Sequence, residues 1–300
     1  MPPGHPERVE RLQAVSRALD AGTFPNLVRI EAPKAAREAL LRVHEPALVD
    51  AILSIEVEPG RFARIDADTA MSEGSAEAAL RAAGSVVAAV DAVMAGRIAN
   101  AFCAVRPPGH HAERGRSMGF CLFNNIAVGA LHARAVHGIE RIAVVDFDVH
   151  HGNGTQDVFF DDANLFYAST HQFPLYPGTG RVEERGIANN IVNVPLPAGL
   201  GGESFRQMFE TRILPALAAF SPQFVFISAG FDAHDADPLA GLRLHESDFG
   251  WATERLCEVA AHACGGRVVS ALEGGYDLDA LARSAAAHVR ALMAGSNARH

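Results

Sequence analysis

Lysine is nearly absent from this chain of 300 residues. Lys34 is the only lysine, and 26 Lys and Arg against 35 Asp and Glu give a net charge of −9. Without a basic surplus to neutralise phosphates, general nucleic-acid binding is disfavoured. Long hydrophobic runs are also lacking, because charges or glycines interrupt each apolar stretch before the roughly 18 residues of a membrane span. The first residues lack the apolar segment of a secretory signal, so we expect a cytoplasmic protein.

Cysteine is sparse, and its spacing excludes further classes of site. The four cysteines form no C-x-x-C pair and lie in apolar contexts, which predicts buried thiols in a reducing compartment. The chain has no phosphate-binding loop and no dinucleotide-binding fingerprint. Ser228 lacks the G-x-S-x-G elbow of a serine nucleophile. These absences point away from nucleotide-dependent and serine-dependent chemistry.

The residues that are present describe a folded α/β protein. With 49% hydrophobic and 20% charged residues and no linker or repeat, residues 1–300 are predicted to form a single globular domain. Strand-like and helix-like stretches alternate, which predicts a mostly parallel sheet covered by helices on both faces, a three-layer α/β/α arrangement; a barrel of eight βα units is the alternative. The strand-like runs are Ala101–Val105, Ile142–Phe147, Leu165–Ser169, Ile191–Val194, Phe224–Ser228 and Val268–Leu272. The helix-like stretches are Glu77–Met94, Asn125–Val136, Phe205–Phe220, Asp248–Ala263 and Leu278–Met293.

Four of the strand-like runs are followed by side chains that can bind metal or move protons. The groups that follow them are His110 and His111; Asp146, Asp148 and His150; Asp232; and Glu273 and Tyr276. Because the carboxyl ends of parallel strands share one edge of a sheet, we expect the four groups to converge on one site.

The group after the second run is the most informative. Alternating side-chain direction along a strand would place Asp146, Asp148 and His150 on the same side. Together with Asp232, two of them make a three-ligand set with an open fourth position, the pattern of a catalytic zinc. One imidazole with two carboxylates is a harder set of ligands, in the sense of hard and soft Lewis bases, than that of most zinc sites. Ferrous iron or cobalt could therefore compete for it.

The remaining groups suit proton transfer and charge stabilisation. The adjacent His110 and His111 are assigned to proton transfer, with Asp146 as the nearest carboxylate to support one imidazole. Glu273-Gly-Gly-Tyr276 is interpreted as a flexible turn whose phenol donates to a developing oxyanion. Water activated by a metal, with histidine moving protons, is the chemistry of amide hydrolysis.

At this point the sequence resembles the zinc-dependent histone deacetylase family, in particular its class II-like bacterial amidohydrolases. The resemblance implies the arginase-deacetylase fold and a single deacetylase catalytic domain over residues 1–300. The matching segments are Gly4-His-Pro-Glu-Arg8, Arg106-Pro-Pro-Gly-His-His-Ala112, Met118-Gly-Phe-Cys-Leu-Phe-Asn-Asn125, Val145-Asp-Phe-Asp-Val-His-His-Gly-Asn-Gly-Thr-Gln156, Tyr176-Pro-Gly-Thr-Gly180, Ser228-Ala-Gly-Phe-Asp-Ala-His234, Asp237-Pro-Leu-Ala-Gly-Leu242 and Glu273-Gly-Gly-Tyr276.

The resemblance also assigns roles to individual residues. Asp148, His150 and Asp232 would hold zinc, and Tyr276 would polarise the acetyl carbonyl. His111 would be the general base and then the acid, with His110 beside it. Further assignments are Asp146 supporting His110, Asn153 supporting His111, Phe120 and Tyr176 walling an acyl-lysine tunnel, Gly119 placing a carbonyl near the substrate amide, and Asp68 as a rim carboxylate.

Structural potassium ions are implied as well. Asp146, Asp148, His150, Ser169 and Thr170 match one such site, and Phe159, Asp162, Leu165 and Asn190 match a second. The implied substrate is an acylated lysine or a small acylated amine, with no nucleic acid or membrane partner, and a homo-oligomer is compatible with the sequence.

Three other functions remain as alternatives. An acetylpolyamine deacetylase would share the chemistry but needs a narrowing insertion that the sequence does not show. An arginase-type ureohydrolase needs a second run of metal-binding aspartates, which Asp232-Ala-His-Asp-Ala-Asp237 matches poorly. A catalytically inactive binding module would be expected to lack one of the ligands, histidines or the tyrosine, and all are present.

Overall fold

The structure is a computed structural model that describes residues 4–296, and it is built around a parallel sheet. Within those residues the strands are β1 (Ala63–Arg64), β2 (Ala70–Met71), β3 (Asn100–Cys103), β4 (Ile142–Asp146), β5 (Leu165–Gln172), β6 (Ile191–Leu196), β7 (Phe224–Ala229) and β8 (Val268–Leu272). Strands β3 to β8 form one sheet in the order β3-β8-β7-β4-β5-β6, with every neighbouring pair parallel. Strands β1 and β2 pair separately as a short antiparallel ribbon.

Helices connect the strands and cover the sheet. In the described part of the chain they are α1 (Val9–Ala18), α2 (Arg37–Leu40), α3 (Pro46–Ser54), α4 (Ser75–Met94), α5 (Asn125–His137), α6 (Asn153–Phe159), α7 (Gly202–Met208), α8 (Leu214–Phe220), α9 (Glu246–Cys264) and α10 (Leu278–Ser296). A π-helical turn, Phe209–Ile213, joins α7 to α8. None of the helices within residues 4–296 is long and apolar enough to cross a membrane.

Strand β4 shows why the sheet has two covered faces. All five of its residues are buried. Ala143 and Val145 pack into the core that includes α9 and α10, while Ile142 and Val144 pack into the core that includes α4 and α5. Because side chains alternate along a strand, one apolar run supplies both cores. The predicted three-layer α/β/α architecture is confirmed, and the barrel alternative is wrong.

Local signals set the ends of the long helices. The side chain of Asn124 accepts a hydrogen bond from the N–H of Ala127 at the start of α5, and Gly138 ends the helix with φ of 68°. At the start of α9, His245 and Asp248 form reciprocal side-chain to backbone hydrogen bonds.

The strand register brings the predicted polar groups to one edge. Asp146, the last residue of β4, pairs with Ser169 of β5 on one side and Ser228 of β7 on the other. Ala229 at the end of β7 pairs with Leu272 at the end of β8. The segments that follow β4, β7 and β8 therefore leave the sheet side by side. Strand β5 continues to Gln172, three residues beyond the predicted run.

Candidate metal centre and active site

Three donor side chains meet where β4 and β7 end. Donor atoms of Asp148, His150 and Asp232 all lie within 4.8 Å of one another. Nδ1 of His150 is 3.1 Å from Oδ1 of Asp148 and 3.1 Å from Oδ2 of Asp232. Both carboxylates are buried. The predicted ligand residues are therefore brought together at a spacing that one ion can bridge.

The reason for this arrangement differs in part from the prediction. Strand β4 ends at Asp146, so alternating strand geometry does not place Asp148 and His150. The turn after the strand does this, because the N–H of His150 donates to Oδ1 of Asp148 at 2.8 Å. Asp146 is paired with His110, as described below. The prediction that Asp146, Asp148 and His150 share one side of a strand is therefore wrong, because only Asp146 lies on the strand.

Backbone donors orient both carboxylates of the centre. The N–H of Gly274 donates to Oδ2 of Asp148 at 2.8 Å, and the N–H of Val149 donates to Oδ1 of Asp232 at 2.8 Å. A Cβ on Gly274 would lie 2.0 Å from Oδ2 of Asp232, so no other residue fits there without displacing the ligand. A segment after β8 thus closes the centre opposite β4.

The electrostatics of the centre favour a cation. Burial opposes protonation of His150, but the hydrogen bonds to Asp148 and Asp232 outweigh it and raise its pKa to about 10. Burial, and then the charge of Asp148, raises the pKa of Asp232. Two buried carboxylates around one imidazole require a positive charge between them. A divalent ion would satisfy the same donors, so the residues fit the metal that they were predicted to bind.

His110 is held by a buried carboxylate. Its Nδ1 lies 2.9 Å from Oδ2 of Asp146, which also accepts from the hydroxyl of Tyr167 at 3.1 Å. Burial lowers the pKa of His110, but the nearby charges of Asp146 and Asp148 outweigh it and raise the pKa well above its usual value. These contacts favour the protonated form of His110.

His111 has a neutral partner, and the hydrogen bonds define its tautomer. The amide of Asn153 donates from Nδ2 to Oε1 of Glu113 at 2.7 Å, so its Oδ1 must face the Nδ1 of His111, 2.8 Å away. Nδ1 of His111 consequently carries the proton, and Nε2 holds a free lone pair. Burial and the charges of His110 and His150 lower the pKa of His111 well below its usual value. The pKa values of the two adjacent histidines are thus shifted in opposite directions.

Glu273 holds the segment that carries the two histidines. Its carboxylate accepts hydrogen bonds from the N–H of Gly109 at 2.7 Å and of His110 at 3.1 Å. Burial raises its pKa to about 7. Because Glu273 directly follows β8, it ties the histidine segment to the same sheet edge.

Tyr276 lies on a tightly held loop, in contrast to the predicted flexible turn. The guanidinium of Arg11, fully buried, donates to the carbonyls of Gly275 at 2.6 Å and Glu273 at 2.5 Å. It also lies 4.8 Å from the centroid of the Tyr276 ring. Burial raises the pKa of Tyr276 well above its usual value, so the phenol keeps its proton. The loop is fixed by a side chain from α1.

The predicted tunnel residues lie beside His111 and Tyr276. The ring of Tyr176 lies 5.1 Å from that of His111, and the ring of Phe120 lies 6.0 Å from that of Tyr276. Gly119 has φ of 57°, and a Cβ there would lie 2.4 Å from the His111 ring. Glycine is required at this position because it permits both the left-handed backbone and the close approach.

Asp68 is engaged within the chain. Its Oδ1 accepts from the hydroxyl of Thr69 at 2.7 Å, and the oxygen of that hydroxyl accepts from the N–H of Phe120 at 3.0 Å. The imidazole of His5 lies 4.6 Å from the Phe120 ring. The structure therefore connects Asp68 to the tunnel wall; its binding to a substrate backbone stays a prediction.

The two predicted potassium sites differ in the structure. Asp146, Asp148, His150, Ser169 and Thr170 are all buried around the ends of β4 and β5, so a cation there stays a prediction. At the second site the amide nitrogen of Asn190 donates toward three carbonyl oxygens. They belong to Phe159 at 2.9 Å, Asp162 at 3.1 Å and Leu165 at 2.7 Å. The amide takes the position that a cation would need, so these residues do not fit the second ion.

Among residues 4–296 another His and Asp cluster has donor atoms close enough for a metal. Nε2 of His132 and Nε2 of His137 lie 2.8 and 2.7 Å from Oδ1 of Asp91. Nη1 of Arg42 lies 3.0 Å from Nδ1 of His132, which must accept because arginine only donates. Nε2 of His132 therefore carries a proton directed at Asp91. This tautomer suits an interhelical hydrogen bond and opposes metal binding.

Arg11 and the structural role of Glu273 could not be predicted from the sequence. Arg11 lies on the first helix and pairs with Glu7, which precedes that helix. The Glu7 carboxylate also pairs with Arg106 at 2.7 Å. The spacing of Glu7 and Arg11 predicts only a local ion pair. No local signal shows that Arg11 reaches a loop more than 260 residues away.

The chain is similar in sequence and in structure to proteins of one family. Residues 5–292 match the model of the histone deacetylase domain. The chain is 46% identical over 222 residues to "Histone deacetylase 10, chloroplastic" of Oryza sativa subsp. japonica, covering 71% of this chain and 50% of the rice protein. It is 40% identical over 279 residues to "Histone deacetylase-like amidohydrolase" of Pseudomonas aeruginosa, covering 91% of this chain and 73% of that protein. The crystal structure of the HDA15 HD domain matches with a TM-score of 0.90 and 39% identity, covering 97% and 82% of the two chains.

Proposed function

This chain belongs to the histone deacetylase family and has its arginase-deacetylase fold, and we propose that it is a zinc-dependent amidohydrolase that removes acetyl or other short acyl groups from acyl-lysine-like amines. The observation that carries the proposal is the donor set of Asp148, His150 and Asp232 beside a histidine with a free Nε2. The chain spans half the length of its rice relative, and the proposal concerns the domain described above.

The metal and the protein divide the chemistry between them. When bound by Asp148, His150 and Asp232, the ion would polarise the acyl carbonyl and lower the pKa of a water molecule. The protein supplies the proton acceptor, the oxyanion donor and a buried surrounding in which charges interact strongly. We keep ferrous iron and cobalt as competing metals and propose one structural potassium ion at the first of the two potassium sites.

His111 would accept the proton of the attacking water. Its Nδ1 is committed to Asn153 at 2.8 Å, so Nε2 is the atom that receives a proton and later returns it to the leaving amine. Its lowered pKa keeps it neutral before the reaction. His110, already protonated by its contact with Asp146, cannot accept that proton.

Tyr276 would donate a hydrogen bond to the oxyanion. Its buried phenol remains protonated at neutral pH, and Arg11 fixes the loop that carries it. Removing one such donor lowers kcat by about 100-fold to 1,000-fold in other hydrolases. The half-buried ring of Phe120 and that of Tyr176 would enclose the apolar stem of the amine.

Turnover of a panel of acyl substrates tests the proposal. We expect purified, zinc-loaded protein to hydrolyse an acetyl-lysine peptide, and Tyr276→Phe and Asp148→Ala to lose at least about 100-fold in kcat while their circular dichroism stays that of the wild type. Acetylputrescine in the same assay tests the acetylpolyamine alternative. Full activity of either variant would refute the assigned roles, and a strong preference for acetylputrescine would replace the proposed substrate.

A further inference from the structure

A second carboxylate of the segment after β7 is buried near Tyr276. Asp237 lies five residues after Asp232 and is 7% exposed. Its Oδ1 accepts from the N–H of Leu239 at 3.0 Å. Its Oδ2 accepts from the N–H of Tyr276 at 2.7 Å and faces the N–H of Asp277 at 3.4 Å. One carboxylate thus joins the segment that supplies a metal ligand to the loop that supplies the phenol.

The contact acts on the backbone of Tyr276 itself. Asp237 holds the N–H of Tyr276 on one side, while Arg11 holds the carbonyl of Gly275, the other half of the same peptide bond. Immediately afterwards Asp277 accepts the N–H of Ala280 at 2.8 Å and so begins α10. The tyrosine is therefore clamped between a buried carboxylate, a buried guanidinium and a helix start.

We propose that Asp237 is a positioning residue that holds the Tyr276 phenol in its catalytic place. The inference rests on the proposed function, because it assumes that Tyr276 donates to the oxyanion. None of the steps above uses Asp237, and its oxygens face three backbone N–H groups of the protein. A displacement of about 1 Å in such a group is enough to lower a rate by about 100-fold.

The first test compares steady-state kinetics with an acetyl-lysine peptide. Asp237→Ala and Asp237→Asn are expected to lower kcat by about 10-fold to 100-fold, to change KM less than about threefold and to retain one bound metal per chain. Asp235→Asn is the matched control, because Asp235 lies in the same segment with a half-exposed carboxylate 3.7 Å from Arg243. That control is expected to keep the kcat of the wild type.

A double-mutant cycle separates positioning from a general effect on structure. If Asp237 acts through the phenol, adding Asp237→Asn to Tyr276→Phe should lower kcat by less than about threefold, because the group it positions is already absent. An equal loss in both backgrounds would overturn the inference. So would unchanged kcat in both Asp237 variants, or loss of the folded state in both. If Tyr276→Phe alone kept full turnover, the proposed function would fail instead.

Discussion

At the residue scale, the two adjacent histidines acquire different pKa values from their partners. His110 contacts the carboxylate of Asp146 and is held as a cation, whereas His111 contacts the amide of Asn153 and stays neutral. A neutral imidazole can accept a proton, and a cationic one can stabilise negative charge. The assignment of His111 as the base therefore depends on a single amide.

Replacing that amide by a carboxylate should change the pH dependence. In the double variant Asn153→Asp/Glu113→Gln, the carboxylate introduced at position 153 would accept a hydrogen bond from the amide introduced at position 113. The negative charge of that carboxylate would stabilise protonated His111. Because protonation of His111 removes the base, we expect the acidic limb of kcat to move to higher pH by about one unit. The measurement is kcat from pH 5 to 9, with Glu113→Gln alone as control. A limb that stays in place or moves to lower pH would contradict the role of His111.

Gly274 tests, at the same scale, whether the close approach of its backbone to Asp148 and Asp232 shapes the metal centre. A Cβ there would lie 2.0 Å from Oδ2 of Asp232 and 2.7 Å from Oδ2 of Asp148. Gly274→Ala is expected to weaken zinc binding at least tenfold, the size of effect that displaced supporting groups have at metal sites. Competition with a chromophoric chelator measures this. Gly250→Ala is the control, because its added Cβ meets only ordinary contacts, the nearest at 3.7 Å. Equal zinc affinities for the two variants would contradict a role of Gly274 in shaping the metal centre.

At the element scale, a neutral histidine fastens α10 to the sheet. The hydroxyl of Thr253 on α9 donates to the backbone carbonyl of Phe249. Its oxygen must therefore accept from Nδ1 of His288, 2.6 Å away. Nε2 of His288 then accepts from the hydroxyl of Ser270 on β8 at 2.8 Å. Burial lowers the pKa of His288 to about 3. One imidazole thus links two helices and a strand while it remains unprotonated.

This histidine predicts part of the acid sensitivity of the fold. The pKa of His288 is lower in the folded chain than the ordinary value of about 6.5. Below pH 6.5 the unfolded chain binds a proton that the folded chain does not, so His288 reduces stability by about 1.4 kcal/mol per pH unit as pH falls toward 3. We expect the slope of unfolding free energy against pH, measured by urea titration between pH 6 and 4, to correspond to about one proton fewer in His288→Gln than in the wild type. An unchanged slope in His288→Gln would contradict the assignment.

The elements also show how far sequence patterns reach. Strand β8 has the predicted bounds, because an apolar run that faces two cores is readable from hydrophobicity alone. Helices α1 to α3 and the β1–β2 ribbon were not predicted, because such short segments are not stable by themselves and depend on tertiary contacts. Arg11 belongs to this group, and its contact with the Tyr276 loop is a tertiary one.

At the scale of the whole molecule, the topology assembles the site. Strands β4, β7 and β8 are neighbours in the sheet although they are far apart in the sequence, and their ends supply the ligands and the tyrosine loop. This convergence could be predicted from the rule that parallel strands share a ligand-binding edge. The clamp around Tyr276 and the amide in the second potassium site could not, because both depend on pairs of residues without a local pattern.

Activity as a function of bound zinc tests the central claim most directly. Chelator-treated protein is titrated with Zn²⁺ while turnover of an acetyl-lysine peptide and bound metal are measured in parallel. Turnover should be lost without metal, rise in proportion to bound zinc and saturate at one ion per chain, and Asp148→Ala should bind no ion at this site. Full turnover in the chelator-treated protein, or saturation only at two ions per chain, would contradict a single metal held by Asp148, His150 and Asp232.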